Sequence, residues 1–229
     1  MVPNGNRPRF RSKPYDFTVA GELLTTVLSF DGGRRVSAFV PASPPTAIVF
    51  AGDGELITSW APGLDDDPPV LVVGVHRAAD ETIRLHDYSP GFDPERFAAH
   101  EDFFVHDVWS WVTTEFGIDL PPARTAIHGV SAGAELALAL GLRHPEVFGT
   151  ILCASPGAGF RPDGTLPAQL PRSYLVAGAD EPFFADNAWR WADALAAAGG
   201  EVVRFERPGD HGGPFWREEF PLMVRWAFG

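Results

Sequence analysis

The chain is poor in cysteine and in positive charge, and each shortage closes off a class of function. A single cysteine, Cys153, among 229 residues rules out an intrachain disulfide framework and any multi-cysteine zinc site. It lies in the apolar run Gly149-Thr150-Ile151-Leu152-Cys153-Ala154-Ser155, where it reads as a small buried hydrophobe. Lys and Arg number 18 against 30 Asp and Glu, a formal net charge of −12. Neither nucleic acid nor an anionic membrane is therefore expected as the main partner. No run approaches the ~18 apolar residues of a membrane span, and the densest one on a candidate helix, Leu136 to Leu142, is far shorter. Basic residues near the N-terminus have no apolar stretch behind them, so neither a secretion signal nor an anchor is expected. A soluble, cytoplasmic protein without a membrane partner is the expectation. Seven histidines occur, but no His-Glu-x-x-His or comparable spacing, so no metal and no cofactor are expected.

What is present is ordinary globular composition, with 45% hydrophobic residues, enough for one sizeable core. Residues 1–13 are polar, basic and Pro-containing and read as a disordered or extended lead-in. Residues 14–229 read as a single α/β domain. Short β-rich runs at Phe17–Val19, Glu22–Phe30 and Arg35–Val40 with Asp31-Gly32-Gly33 between the last two predict an antiparallel N-terminal region. From Thr46 onward strand-length apolar runs alternate with stretches of helical period, the pattern of parallel strands joined by helices. Strands are predicted at Ala47–Ala51, Val70–Val75, Arg124–His128, Thr150–Ala154, Tyr174–Ala177 and Val202–Glu206. Helices are predicted at Pro94–Phe116, Ala132–Arg143, Phe183–Ala198 and Pro214–Phe228, the first capped by Asp93 with Pro94 at its first position and ended by Gly117. Arg77–Asp93 and Ser155–Pro171 read as long loops directly after strands, where ligands bind in an open α/β sheet.

The strongest local signal is Gly129-Val130-Ser131-Ala132-Gly133, a Gly-x-Ser-x-Gly between a strand and a helix. Such an elbow exposes the Ser131 hydroxyl on a sharp turn and aims the backbone N–H of Ala132, at a helix N-terminus, toward a developing oxyanion. A serine needs a base. His211, in the loop between the last strand and last helix, fits the chain order serine, acid, histidine of the α/β-hydrolases. His128 and His144 read as structural or solvated, and His76, His86, His100 and His106 precede the serine. The acid is expected after the strand ending at Ala177, where Asp180 and Glu181 both stand. A second oxyanion donor is expected after Ala51, from the backbone N–H of Glu55 or, as the alternative, of Gly54. Among seven tryptophans, Trp109, Trp111, Trp189, Trp191 and Trp226 fall on predicted helices and read as core. Trp60 and Trp216 fall near the loops and are the candidate substrate-pocket residues.

Taken together, these segments resemble the putative-esterase branch of the α/β-hydrolases, the enterochelin esterase-like and esterase D-like family. The resemblance covers Ala47 to the C-terminus. It rests on Gly52-Asp53-Gly54-Glu55 with Trp60, on Arg84-Leu85-His86-Asp87-Tyr88, and on the elbow at Ser131. Arg143-His144-Pro145-Glu146-Val147-Phe148-Gly149, Ser155-Pro156, Glu181-Pro182 with Asn187, and Gly209-Asp210-His211 with Trp216 complete it. Departures are Ala134, where the family has a second Gly after the elbow, and Gly209-Asp210-His211 in place of Gly-Gly-His. The longer enterochelin esterases also carry a separate N-terminal domain, for which no room is expected here.

The resemblance implies an α/β-hydrolase fold, with a mostly parallel central sheet, an antiparallel N-terminal strand region and helices on both faces. It implies a serine-dependent carboxylic ester hydrolase working through an acyl-enzyme, on a small or aromatic ester of siderophore or hydroxycinnamoyl type. In the family register the acid stands three residues after the strand-closing Gly, which points from Gly178 to Glu181, with Asp180 as the alternative. Arg84 and Asp87 are expected to brace each other. Acyl transfer by the same triad, or a non-catalytic hydrolase-fold binding module, are the alternative functions.

Overall fold

A computed structural model describes residues 21–64, 68–162, 164–212 and 214–229. The expected lead-in 1–13 and the run Phe17–Val19 lie outside them. One eight-stranded sheet organises the described residues: β1 (Glu22–Leu28), β2 (Arg34–Val40), β3 (Ala47–Ala51), β4 (Val70–Val75), β5 (Thr125–Val130), β6 (Thr150–Ala154), β7 (Arg172–Gly178) and β8 (Val202–Arg207). Their spatial order is β1-β2-β4-β3-β5-β6-β7-β8. β1 pairs antiparallel with β2, and β2 with β4, and every other pairing is parallel. Burial explains the two halves. β1 alternates between half-buried and exposed residues, whereas β3 to β6 are buried along their whole length, as strands covered on both faces must be.

The helices are α1 (Gly54–Trp60), α2 (Glu81–Tyr88), α3 (Pro94–Asp102), α4 (Trp109–Phe116), α5 (Ala132–Arg143), α6 (Pro182–Ala197) and α7 (Pro214–Phe228). One core layer gathers Phe97, Phe104, Val112, Leu136, Leu140 and Trp191 from α3 to α6 and their connections. On the opposite face α1 and α7 supply Ile57, Trp60, Phe220 and Met223. Among the described residues no helix is long and apolar enough to cross a membrane. Cys153 is buried and unbonded.

Two sequence expectations change, and one helix was not expected. Arg77–Asp93 is not all loop, because α2 occupies its middle, with Asp80 capping it by accepting from the Ile83 N–H at 3.0 Å. α1 was hidden by its opening Gly54. The single helix expected at Pro94–Phe116 contains a π-helical turn, Phe103–Val108, between α3 and α4. The wider turn lets the consecutive rings of Phe103 and Phe104, each 1% exposed, both reach the core. Asp93 does cap α3 through the Arg96 N–H at 3.0 Å, and Gly117 ends α4 in the left-handed region.

Candidate active site

The described loops at the C-terminal ends of β3, β5, β7 and β8 meet above the sheet. Ser131 follows β5 directly and adopts φ 56°, ψ −125°, a strained conformation for a residue with a side chain. The packing around it explains the glycine pattern. A Cβ at Gly129 would lie 1.8 Å from the Gly133 carbonyl oxygen, and one at Gly133 would lie 3.0 Å from Asp53 Oδ2. Only a turn free of side chains at these positions brings helix α5 this close to its strand and to the loop after β3.

His211 stands in the loop between β8 and α7. Its Nε2 lies 3.0 Å from Ser131 Oγ and its Nδ1 2.6 Å from Glu181 Oε2. The imidazole is stacked on Phe184 with ring centroids 3.5 Å apart and meets the Trp216 ring edge-on at 4.8 Å. Glu181 is buried at 4% exposure. It also takes the Gly178 N–H at 2.6 Å and the hydroxyl of Ser155. Ser155 in turn accepts the Trp216 indole N–H at 2.8 Å. Asp180 is exposed. Its backbone N–H goes to the Gly209 carbonyl at 3.0 Å, which ties the β7 and β8 loops together. Thus Ser131, His211 and Glu181 are brought together, and Asp180 is turned outward.

Ala132 opens α5, and Gly54 and Glu55 open α1, so their N–H groups belong to first turns that lack intrahelical acceptors. Gly54 is pressed onto Gly74, where a Cβ would meet the backbone at 2.4 Å. The Glu55 carboxylate turns away, to Arg77 at 3.0 Å and His76 at 3.5 Å. It borders a cleft of about 680 Å³ lined also by Arg34, Arg35, Asp80 and Ile83.

Trp60 packs in the core beside Phe220, at 9% exposure, and Trp216, at 8%, donates its indole N–H to Ser155 and meets the His211 ring edge-on. One expectation is corrected here. Arg84 and Asp87 do not brace each other. Arg84 binds both carboxylate oxygens of Asp53 at 2.8 Å and Glu81 at 2.6 Å, whereas Asp87 is held by Arg34 at 3.0 Å and Arg96 at 2.7 Å. Arg84 is shared between Glu81 on its own helix and Asp53 on the loop after β3, and Asp87 finds both its partners on neighbouring elements, Arg34 on β2 and Arg96 on α3. The roles of Ser155, Phe184 and the exposed Phe92 and Phe183, at 53% and 56%, were not read from sequence. Only Ser155-Pro156 carried a signal, through the family resemblance. Among the described residues no group of three or more His, Cys, Asp or Glu side chains is arranged to hold a metal ion.

The strand order, the antiparallel edge and the helices on both faces define an α/β-hydrolase fold. Residues 64–202, more than half of the chain, match the family described as Putative esterase, and the chain belongs to that family. No curated sequence is significantly similar. Among solved structures, the enterochelin esterase of Shigella flexneri superposes with a TM-score of 0.74 at 20% identity, over 94% of this chain and 60% of that one. A ferulic acid esterase gives 0.70 at 15% identity, over 91% and 98% of the two chains. A fluorophosphonate-binding serine hydrolase of Staphylococcus aureus gives 0.71 at 12% identity, over 92% and 100%. The chain thus spans about three-fifths of the enterochelin esterase it matches.

Proposed function

We propose that the protein is a serine-dependent carboxylic ester hydrolase. In this reading the Ser131 hydroxyl attacks the ester carbonyl carbon while His211 Nε2 takes its proton. The carbonyl oxygen, now an oxyanion, is received by the N–H groups of Ala132 and Glu55. Collapse expels the alcohol, which leaves with the proton from His211, and an acyl group stays on Ser131. Water, deprotonated by the same imidazole, then releases the acid. Glu181 keeps Nδ1 protonated and balances the imidazolium charge. The observation that carries the reading is the unbroken line from Ser131 Oγ through His211 to Glu181, at 3.0 and 2.6 Å. Family membership supports it, as does the fold shared with a fluorophosphonate-binding hydrolase.

The substrate is a small or aromatic ester. Among the described residues, Phe92 and Phe183 are the two aromatics in the set of large exposed hydrophobic residues. Phe183 adjoins the Phe184 ring that stacks on His211. Phe92 reaches Gly159, which is bonded to the helix that Ser131 begins. Two exposed rings, one beside the ring stacked on His211 and one beside the segment bonded to α5, suit a flat acyl or alcohol group.

The test is a hydrolysis panel of short-chain, aryl, hydroxycinnamoyl and siderophore esters, run beside fluorophosphonate labelling. Ser131→Ala is expected to fall below about a thousandth of wild-type turnover and to lose the label, with its fold intact. A variant that keeps both overturns the assignment of Ser131 as nucleophile.

A further inference from the structure

Glu135 has no part in the proton path from Ser131 to Glu181, yet it is buried at 3% exposure on α5, four residues beyond Ser131. One carboxylate oxygen accepts the Gly159 N–H at 3.1 Å, and the other takes the hydroxyl of Ser89, itself 0% exposed. These two bonds reach two separate segments. Gly159 closes the stretch Ser155 to Gly159, whose opening residue, Ser155, is bonded to Glu181. That stretch is pinned at both ends by a buried glutamate. Ser89 begins the turn Ser89 to Phe92, in which the Phe92 N–H bonds the Ser89 carbonyl at 3.1 Å.

The fit around the carboxyl group is close on every side. A Cβ at Gly157 would lie 2.1 Å from Glu135 Oε1, and one at Gly159 would lie 2.6 Å from Oε2 and 2.5 Å from Phe92 Cε2. One at Gly91 would lie 2.1 Å from the Gly159 oxygen. Helix α5, the stretch 155–159 and the turn 89–92 therefore meet at one side chain, and the exposed ring of Phe92 sits on the far side of that joint. Among the described residues no arginine or lysine is bonded to this acid, and an acid buried in that way is costly. Its hydrogen bonds to two loops are what it supplies in return.

Building on the assignment of Ser131 as nucleophile, we propose that Glu135 is a positioning residue. It locks the stretch 155–159 and the turn 89–92 to the nucleophile helix, and so sets the shape of the substrate opening that Phe92 borders. Among the described residues the hydrogen bonds of the Glu135 carboxylate go to Ser89 and Gly159, not to Ser131 or His211, so loosening the joint raises KM for an ester that must fill the opening and leaves Ser131 reactive. An amide of the same shape keeps an oxygen for the Gly159 N–H and an N–H for the Ser89 hydroxyl.

The experiment compares wild type, Glu135→Gln, Glu135→Ala and Glu135→Asp, with 4-nitrophenyl benzoate as substrate and a small alkyl fluorophosphonate as label. Glu135→Ala is expected to raise KM about tenfold with kcat and labelling rate within about threefold of wild type, and Glu135→Gln to restore KM to within about threefold. If the alanine variant does not fold, Glu135→Asp, whose carboxylate stands one methylene short of Gly159, carries the same expected rise in KM. Wild-type KM in every variant that folds overturns the proposal, as does an equal fall of kcat, labelling and melting temperature in Glu135→Gln. A wild-type protein that neither hydrolyses the ester nor takes the label overturns the esterase assignment, and this proposal falls with it. An active wild type with unresponsive variants overturns this proposal alone.

Discussion

Charge is arranged differently on the two sides of helix α5, which Ser131 begins. On the β7–β8 side, Glu181, His211 and Ser131 form a line in which the imidazole bridges one carboxylate and one hydroxyl. On the β1–β4 side, Arg84 is held by Asp53 and Glu81, Asp87 by Arg34 and Arg96, and Arg96 also by Asp31. In the proposed mechanism the first arrangement holds a base that gains a charge during reaction beside an anion that balances it. In the second, three arginines already face four carboxylates, and each cation spans two elements. A line of single partners can pass a proton. A mesh of doubly held ions can only fix the backbone, here the loop after β3 that carries Gly54 and Glu55.

Acid is expected to break both sides together, and it is the largest effect. His100 on the ion-pair side donates its Nδ1–H to the Asp87 carbonyl, 3.0 Å away, and His128, on β5, donates its own to the Leu152 carbonyl, also 3.0 Å away. Among the described residues neither Nε2 has a partner, and burial pushes both rings down to about 4 from 6.5. Between those values the unfolded chain binds protons that the folded chain refuses. The stabilisation is therefore fully present above 6.5 and is lost as pH falls through 4, on the order of 3 kcal/mol per histidine. Glu135 works in the opposite direction. Burial raises its carboxyl to about 7 from 4.5, against the pull of the Gly159 N–H, Arg84 and Arg161. Its contribution is present below 4.5 and lost as pH rises through 7. Two histidines outweigh one glutamate, so the melting temperature is expected to fall from pH 6.5 to pH 4.5. A flat or rising melting temperature in thermal scans over that range refutes this.

Arg84→Gln separates the two sides. It leaves Asp53, at 3% exposure, without its bidentate partner, and removal of one member of a buried pair costs about 3–5 kcal/mol. A large drop in melting temperature is expected, with KM for neutral and anionic esters changed alike. An unchanged melting temperature with KM raised for anionic esters alone makes Arg84 a ligand contact and dissolves the contrast.

The legibility of the chain follows the same divide. Features set by neighbours in sequence were readable: the glycines of the elbow, the Asp93 cap and the alternation from Thr46 to the last helix each have a local steric or periodic cause. Pairings across long separations were not. Arg84 and Asp87 are three apart, and nothing local says that Asp53 and Arg34 are nearer to them than they are to each other. Glu135 reads as one more polar residue on a helix until Ser89 and Gly159 arrive from 46 and 24 residues away. Trp60 and Trp216 lie beside functional loops in sequence, but a residue beside a loop can still turn its ring inward, and both do. The π turn at Phe103 was hidden because a run of consecutive aromatic residues fits any helical period poorly.

The smallest expected effect decides between two adjacent carboxylates on the proton-passing side. In the proposed mechanism Glu181→Gln removes the charge that balances the His211 imidazolium and offers Nδ1 an amide that can hold the ring in the wrong tautomer, so turnover is expected to fall about a hundredfold or more. Its other contacts, the Gly178 N–H and the Ser155 hydroxyl, converge on Oε1, which an amide oxygen can replace, so the fold should hold. Asp180→Asn alters an exposed side chain whose structural bond, to Gly209, is made by the backbone. Its turnover is expected to stay within about threefold of wild type, well inside the tenfold that a charge-balancing acid would exceed. Steady-state kinetics on the two variants, with melting temperatures to verify folding, give the ranking, and the reverse order transfers the role to Asp180. Asp180 would then have to swing inward past Glu181, displacing a carboxylate that already satisfies a backbone N–H, a serine hydroxyl and the imidazole.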